Sequence, residues 1–392
     1  MKRRTLVFFG LILMQAAVPT LQYDAVDFLK PTPSVSVGEV AGVATNSKGH
    51  LLVYTRTGSL NVTVGTARAF GHGPSRLLEY DQNGKLVNEF GEGLYALTYA
   101  QSVRVDRQDN IWIVDQYSNM VVKFDPEGRV LLTFGRRPET ASSVTANVGA
   151  GAARGGAAPA AGAAGGRGGA AAPAGPPRGS EIPAPPAGRG GAPAQTATAP
   201  RGGGRGNPGA GTAGDSFNRP TDVAWDAAGN IFITDGFGTN SRILKMDKNG
   251  RFVKTFGSTG SENGQLNKPA SIAIDTKGDV YVADKGNNRI QVFTNDGVFK
   301  TQFTNVGTPS AICISPGAHQ YLFSSNSNDP DNLDHGEIYK MELDGTILGK
   351  FGTAGHSLKE FGTVNALDCP SENTLFVGEL LNWRVQKVTL RK

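Results

Sequence analysis

Cysteine is almost absent, with 2 in 392 residues. That is too few for a disulfide-stapled scaffold or for a Cys-based zinc or iron–sulfur framework. Histidine is scarce as well, at 5, so any imidazole metal centre must be built from a few scattered positions. Beyond the N-terminus no apolar run is long enough to cross a bilayer, which excludes an integral multi-span protein. An excess of one charge is also lacking in the part expected to fold. The net charge of +5 is more than accounted for by Lys2, Arg3 and Arg4 together with six Arg set against Glu139 and Glu181 between residues 138 and 214. What remains is mildly acidic, so the composition gives no support for a basic face that binds nucleic acid.

Two segments stand apart from the rest. Lys2, Arg3 and Arg4 precede an apolar stretch from Leu6 through Val18, followed by Pro19. A basic start and a short apolar run read residues 1–20 as a secretory signal peptide, and hence the protein as exported, periplasmic or extracellular. An uncleaved N-terminal anchor is the alternative. No Cys closes the run, which argues against a lipid anchor. From Pro138 to Gly214 the chain is nearly all Ala, Gly, Pro, Arg, Ser and Thr. Such a stretch cannot bury enough apolar surface to offset the entropy of ordering, so a disordered insertion is expected. Arg154, Arg167, Arg189 and Arg201 are each followed by Gly-Gly, a pattern seen in RNA-binding tethers. Without aromatic residues to stack on bases, a soluble spacer is the better reading and a nucleic-acid partner is disfavoured.

The remaining sequence repeats. Six segments align: GVATNSKGHLLVYTRTG from Gly42, SVRVDRQDNIWIVDQYS from Ser102, DVAWDAAGNIFITDGFG from Asp222, SIAIDTKGDVYVADKGN from Ser271, AICISPGAHQYLFSSNS from Ala311 and ALDCPSENTLFVGELLN from Ala366. The spacing averages about 49 residues, the length of a four-stranded antiparallel unit. Short β-rich runs of period two, punctuated by turns such as Gly229-Asn230 and Asn249-Gly250, define the strands of each copy. One copy cannot bury both of its faces, so the copies must pack around an axis, which predicts an all-β, six-bladed β-propeller. Blades 1 and 2 fall in residues 21–137 and blades 3 to 6 in 215–392. The last copy has three strands, and Tyr23–Leu29 is expected to add the fourth, leaving no open edge.

NRPTDVAWDAAGNIFITDGFGTNSRILKMDKNGRFVKTFG and NKPASIAIDTKGDVYVADKGNNRIQVF resemble NHL repeats, the units of six-bladed propellers. More narrowly, the blade order resembles the propeller of peptidyl-α-hydroxyglycine α-amidating lyase, a carbon–nitrogen lyase. The resemblance implies a zinc held by three His, a nearby calcium, and catalytic Arg and Tyr side chains at one mouth of the propeller. At the positions matching the zinc ligands stand Gln101, Ala270 and Asn365; Ala366 takes the place of the calcium Asp, and Phe237 that of the Tyr. One catalytic Arg position keeps Arg56 and the other holds Lys285. Neither zinc nor calcium is therefore expected unless the lyase resemblance extends to function.

The alignment also picks out the mouth independently of any family. Just after the second strand the copies carry Arg56, Gln116, Gly236, Lys285, Asn326 and Glu379, preceded by Thr55, Asp115, Asp235, Asp284, Ser325 and Gly378. Asp115, Asp235 and Asp284 are expected to cap turns. Arg56, Lys285 and Glu379 are not demanded by turn chemistry, which makes them ligand candidates beside Gln101, Gln116, Asn326 and Asn365. The loops add His72, His356 and the run with Asp329, Asp331, Asp334 and His335, whose spacing fails the EF-hand pattern. His50 and His319 fall at turns and are expected at the surface. Asn240-Ser241-Arg242, Asn287-Asn288-Arg289 and Asn382-Trp383-Arg384 recur as blade structure, with no chemistry assigned. Cys313 and Cys369 fall on first strands of adjacent copies in different registers, from which no disulfide is expected. The function expected is binding of a small molecule, peptide or protein at the mouth, without catalysis. The alternative is lyase-like, with Arg56 and Lys285 as its catalytic candidates.

Overall fold

The computed structural model describes residues 18–33, 35–57, 75–135, 216–326 and 336–391. The leader up to residue 17, the 138–214 insertion, His72 and the run holding Asp329, Asp331, Asp334 and His335 lie outside the described residues.

Six four-stranded antiparallel sheets form a six-bladed β-propeller, and blades 1 to 5 are built in sequence order from the axis outward. The innermost strands are Glu39–Thr45, Ala100–Val105, Pro220–Trp225, Pro269–Ile274, Pro309–Ile314 and Val364–Asp368 in blades 1 to 6. Blade 6 is completed by Tyr23–Asp27, which pairs antiparallel with Arg384–Leu390 from Tyr23 opposite Leu390 to Asp27 opposite Gln386. The expected closure by the N-terminal strand is thus present, and it ends at Asp27. Arg391 extends the seam by an ion pair with Asp24, Nη2 to Oδ1 2.6 Å.

The core is divided into wedges between neighbouring blades. Between blades 2 and 3, for example, Trp112, Val114 and Phe134 pack on Val223, Ile233 and Leu244. Between blades 5 and 6, Ala311, Cys313 and Phe323 meet Leu367, Cys369 and Leu375. The alternating pattern of each strand supplies two apolar faces, one for each flanking wedge. Turns are held by short side chains: Asp106 Oδ1 accepts from the backbone N–H of Gln108 and Asn110, both at 3.0 Å. The same arrangement recurs at Asp226 and Asp275.

Cys313 and Cys369 form a disulfide with Cα atoms 6.1 Å apart, contrary to the sequence expectation. Opposite register excludes contact within one sheet. Between stacked blades it does the reverse, because one face of blade 5 meets the opposite face of blade 6. The innermost-strand residues Cys313 and Ala311 therefore share a wedge with Cys369 and Leu367.

Candidate ligand site at the mouth of the channel

Every innermost strand is irregular near its start. Pairing skips between Val40 and Gly42, Ala100 and Ser102, Pro220 and Asp222, Pro269 and Ser271, and Val364 and Ala366, with a longer skip from Pro309 to Ile312 in blade 5. A bulge leaves its extra residue out of the ladder and re-aims that side chain. The residues so released, Ala41, Gln101, Thr221, Ala270 and Asn365, line one cavity on the propeller axis. Gly42 lets blade 1 approach closely here, since a Cβ at that position would lie 2.5 Å from the backbone N of Val103. The cavity holds about 10 Å³, room for about one water.

Below it the axis is plugged. Arg104 reaches out from blade 2 and donates through Nε to Asp222 Oδ1 at 3.0 Å, through Nη1 to the Leu367 carbonyl at 3.2 Å and through Nη2 to the Ile312 carbonyl at 3.4 Å. Nη2 also meets Ser271 Oγ at 3.2 Å and Asp222 Oδ2 at 2.5 Å. One guanidinium thus joins blades 2, 3, 4, 5 and 6. Burial works against the charge on Arg104, but the Asp222 carboxylate outweighs it and raises the pKa. Asp222 in turn accepts from Ser102, Ser271 and the backbone N–H of Ile272. Blade 1 is tied in through Asp368, which accepts from the backbone N–H and hydroxyl of Thr45 at 3.0 and 2.8 Å. Burial pushes the Asp368 carboxyl up to about 6, opposed by those bonds and by Arg104.

Gln101, Ala270 and Asn365 do converge, as the resemblance implies, but they do not fit a zinc ion. An amide oxygen is a poor zinc donor and Ala270 offers none. The amides are also engaged: Asn365 Nδ2 donates to the Ala41 carbonyl at 2.8 Å, and Gln101 Oε1 accepts from Arg56 Nη2 at 3.2 Å. Calcium fares no better, since Ala366 supplies no oxygen where the resemblance places a carboxylate. The described residues hold no group of three or more His, Cys, Asp or Glu arranged for a metal.

Around the rim, strand pairing corrects the sequence alignment in two blades. Asn326 pairs opposite Pro309 and Glu379 opposite Val364, as Asp235 does opposite Pro220 and Asp284 opposite Pro269. Asn326 and Glu379 therefore stand with the capping aspartates, not one residue beyond them. Register follows the pairing across the hairpin, which counting along the copies misjudged. Glu379 accepts from the Gly362 N–H at 2.8 Å, from Arg384 Nε at 2.7 Å and from Gln386 Nε2 at 3.0 Å. Asp284 accepts from the Asn267 N–H at 2.6 Å, Asn287 at 2.8 Å and Arg289 Nε at 2.7 Å. Asp235 does the same with Asn218, Asn240 and Arg242. The recurring Asn-x-Arg is thus the partner set of the strand-end acid. Asn326 accepts from the Thr308 N–H at 2.9 Å and donates to Glu337 at 3.3 Å. Gln116, Lys285, Asn326 and Glu379 do not line the axial cavity. Gln116 is buried beside Asp115, and Lys285 is half-buried in one 3-10 turn.

From blade 1 to the edge of blade 3 the rim also carries a cationic and aromatic ladder. Arg56, 9% exposed, donates to the Ala100 carbonyl at 2.7 Å, to Glu39 and the Tyr99 hydroxyl at 3.1 Å each, and lies 3.9 Å over the Tyr99 ring. The Tyr99 and Tyr117 rings meet at a 37° tilt with centres 4.4 Å apart, and Arg219 lies 5.1 Å over Tyr117. Burial raises the Tyr99 pKa while Arg56 lowers it. Beneath this ladder Asp115 accepts from the N–H groups of Thr98, Tyr99 and Ser118 and from the Tyr54 hydroxyl at 2.9 Å. Burial pushes the Asp115 carboxyl up against those bonds. Arg104, Asp222, Tyr99, Tyr117 and Arg219 were not singled out from sequence. A signal existed for two of them: Arg104 and Asp222 are charges at strand positions where most other blades carry Gly, Ala or Ser.

The fold and axial site define a six-bladed β-propeller, and residues 266–293 match the NHL repeat. Among named proteins, the chain is 22% identical over 379 residues to a probable peptidyl-α-hydroxyglycine α-amidating lyase of Caenorhabditis elegans, covering 91% of this chain and 84% of that one. It is 33% identical over 118 residues to human NHL repeat-containing protein 3, covering 29% of this chain and 33% of that protein. A gluconolactonase structure from Xanthomonas campestris shares the fold with a TM-score of 0.54 at 13% identity, covering 96% of both chains.

Proposed function

We propose that this propeller is a binding module that takes a small molecule, peptide or protein segment at the mouth lined by Gln101 and Asn365 and rimmed by Arg56, Tyr99 and Tyr117. The observation that carries the reading is the closed pit on the axis, which itself admits about one water, so that the ligand rests over it and against the rim. Bulges from five blades re-aim side chains into the pit, and Arg104 closes its floor. Function on a propeller lives in such a site and not in the fold itself. The apolar leader further supports export, which N-terminal sequencing of the mature protein tests: a start near residue 20 is expected, and retention of Met1 would replace export by an anchor.

A lyase-like reading is favoured by one observation, the presence of Arg56 at a catalytic Arg position in a chain resembling amidating lyases. In that reading Arg56 holds a substrate carboxylate or meets developing negative charge, with Lys285 assisting. It is weakened by the engagement of Arg56 with Glu39, Tyr99 and Gln101. Metal analysis with a ligand screen separates the two. Binding that is lost in Gln101→Leu and Asn365→Leu, in protein free of zinc, supports the module. Near-stoichiometric zinc, removed together with activity on a peptidyl-α-hydroxyglycine, overturns it.

A further inference from the structure

The rim residue just before each innermost strand adopts an uncommon backbone in three blades. Arg219, Lys268 and Thr363 have φ of 63°, 52° and 51°. For a long side chain followed by proline, as in Arg219-Pro220 and Lys268-Pro269, this left-handed conformation is disfavoured twice over. Asn or Gly would adopt it at lower cost, yet blades 3 and 4 both place a cation there. Strain of this kind persists where the surrounding structure imposes it, and it concentrates at functional positions.

The two ends of the aromatic ladder are unlike. At one end Arg56 is neutralised by Glu39, Nη1 to Oε2 3.1 Å. At the other, the Arg219 guanidinium is half-buried against Tyr117 and makes no ion pair or hydrogen bond among the described residues. Its backbone is fixed, with the N–H donating to Asn119 Oδ1 at 2.8 Å and the carbonyl accepting from the Phe237 N–H at 3.2 Å. A second observation falls on the same arc. Among the buried side-chain atoms of the described residues, the hydroxyls of Thr55 and Thr98 find no partner, both at the mouth ends of blades 1 and 2, and so does Trp225 Nε1 at the far end of the innermost strand of blade 3. Unpaired buried polar groups are rare in folded proteins and point to a missing partner, water or ligand. The acids nearby, Asp115 and Asp235, are buried and bonded within their own blades.

We infer that Arg219, shelved on Tyr117 at the edge between blades 2 and 3, is an oxyanion-binding subsite of the mouth, with Lys268 of blade 4 as a second attracting charge. The inference rests on the binding reading above and names what part of the ligand the mouth recognises: a carboxylate or phosphate. A planar guanidinium held on an aromatic face offers a fork of donors that matches two oxygens of such a group. Partial burial strengthens the contact relative to open water.

Calorimetric titration of the full chain tests this with three probes: inorganic phosphate, N-acetyl-dialanine with a free carboxylate, and the same peptide amidated. Binding of phosphate alone assigns a phosphate-class ligand; binding of the free acid but not the amide assigns a carboxylate. Either result supports the subsite if affinity falls with added salt and Arg219→Gln weakens it by about tenfold or more. Arg219→Lys is expected to restore part of the loss, and Lys268→Gln to weaken binding about two- to threefold. Thermal unfolding of all three variants should match the parent, which separates recognition from folding. Absence of binding by both anions at millimolar concentration, or an Arg219→Gln variant that binds as the parent does, overturns the inference. A screened ligand lost in Gln101→Leu and Asn365→Leu but indifferent to Arg219→Gln removes the subsite alone and leaves the binding module standing.

Discussion

Blades 2 and 4 treat the same strand end in two ways. In blade 4, Asp284 is closed off by Arg289 and Asn287, with Gln291 donating at 3.1 Å as well. In blade 2 the residue in register with Arg289 is Met120, since Asp115 pairs with Met120 as Asp284 pairs with Arg289. Asp115 is left with neutral donors only: backbone N–H groups and the Tyr54 hydroxyl. Two features go with the missing guanidinium, the first of them shared by Asp235 even though it keeps Arg242. The carboxyl of Asp115 is pushed up by burial, and the rim above it is occupied by Tyr99 and Tyr117 in place of an Asn-x-Arg clasp. The same fold position serves as a structural fastening in one blade and as the floor of an aromatic, cationic rim in the other.

The contrast can be broken most forcefully from the blade 4 side. Arg289→Met removes the charged partner and leaves Asp284 buried with only the neutral donors Asn267, Asn287 and Gln291, so chemical denaturation should show a loss of about 3–5 kcal/mol. A loss below about 1 kcal/mol would mean that the clasp contributes little to stability.

Asp368 extends the comparison to an acid whose direct side-chain partner is a Thr. Its folded pKa of about 6 lies above the ordinary value near 4, so its contribution to stability is full below about pH 4 and is lost as pH rises through about 6. Between those limits the stability of Asp368→Asn should gain on the parent by up to about 3 kcal/mol. A difference that stays constant from pH 4 to 7 would contradict the assignment.

A smaller effect is expected at the neutral donors of blade 2. Tyr54→Phe removes one hydrogen bond to a buried carboxylate and should cost about 1.5–3 kcal/mol by urea unfolding. It should leave oxyanion binding at Arg219 within about twofold of the parent, because Tyr54 lies beneath the rim. The smallest change concerns blade 6, where Trp383 has φ of 53° and is 61% exposed. Blades 2 and 4 carry Asn119 and Asn288 in the same conformation, with φ of 55° and 53°. Trp383→Asn should therefore raise stability by about 0.5–1 kcal/mol. Destabilisation would show that the indole contributes packing that its exposure does not suggest.

The repeat, its period of two and its turn residues determined the all-β propeller, its six blades and closure by the N-terminal strand. They did so because each copy is a local hairpin meander whose pattern is written within about 50 residues. The meaning of Asn-x-Arg as blade structure was legible for the same reason, although its acid partners became visible only through strand register. The family resemblance also placed Gln101, Ala270 and Asn365 at one position in alternate blades, 2, 4 and 6. What only the tertiary structure decided depends on distances across the axis or between blades. Arg104 bonds groups in four other blades up to 263 residues away. The disulfide of Cys313 with Cys369 and the ladder from Arg56 to Arg219 likewise join separate copies. No local pattern encodes such contacts, because they arise when blades already formed are stacked around a common axis, face against opposite face.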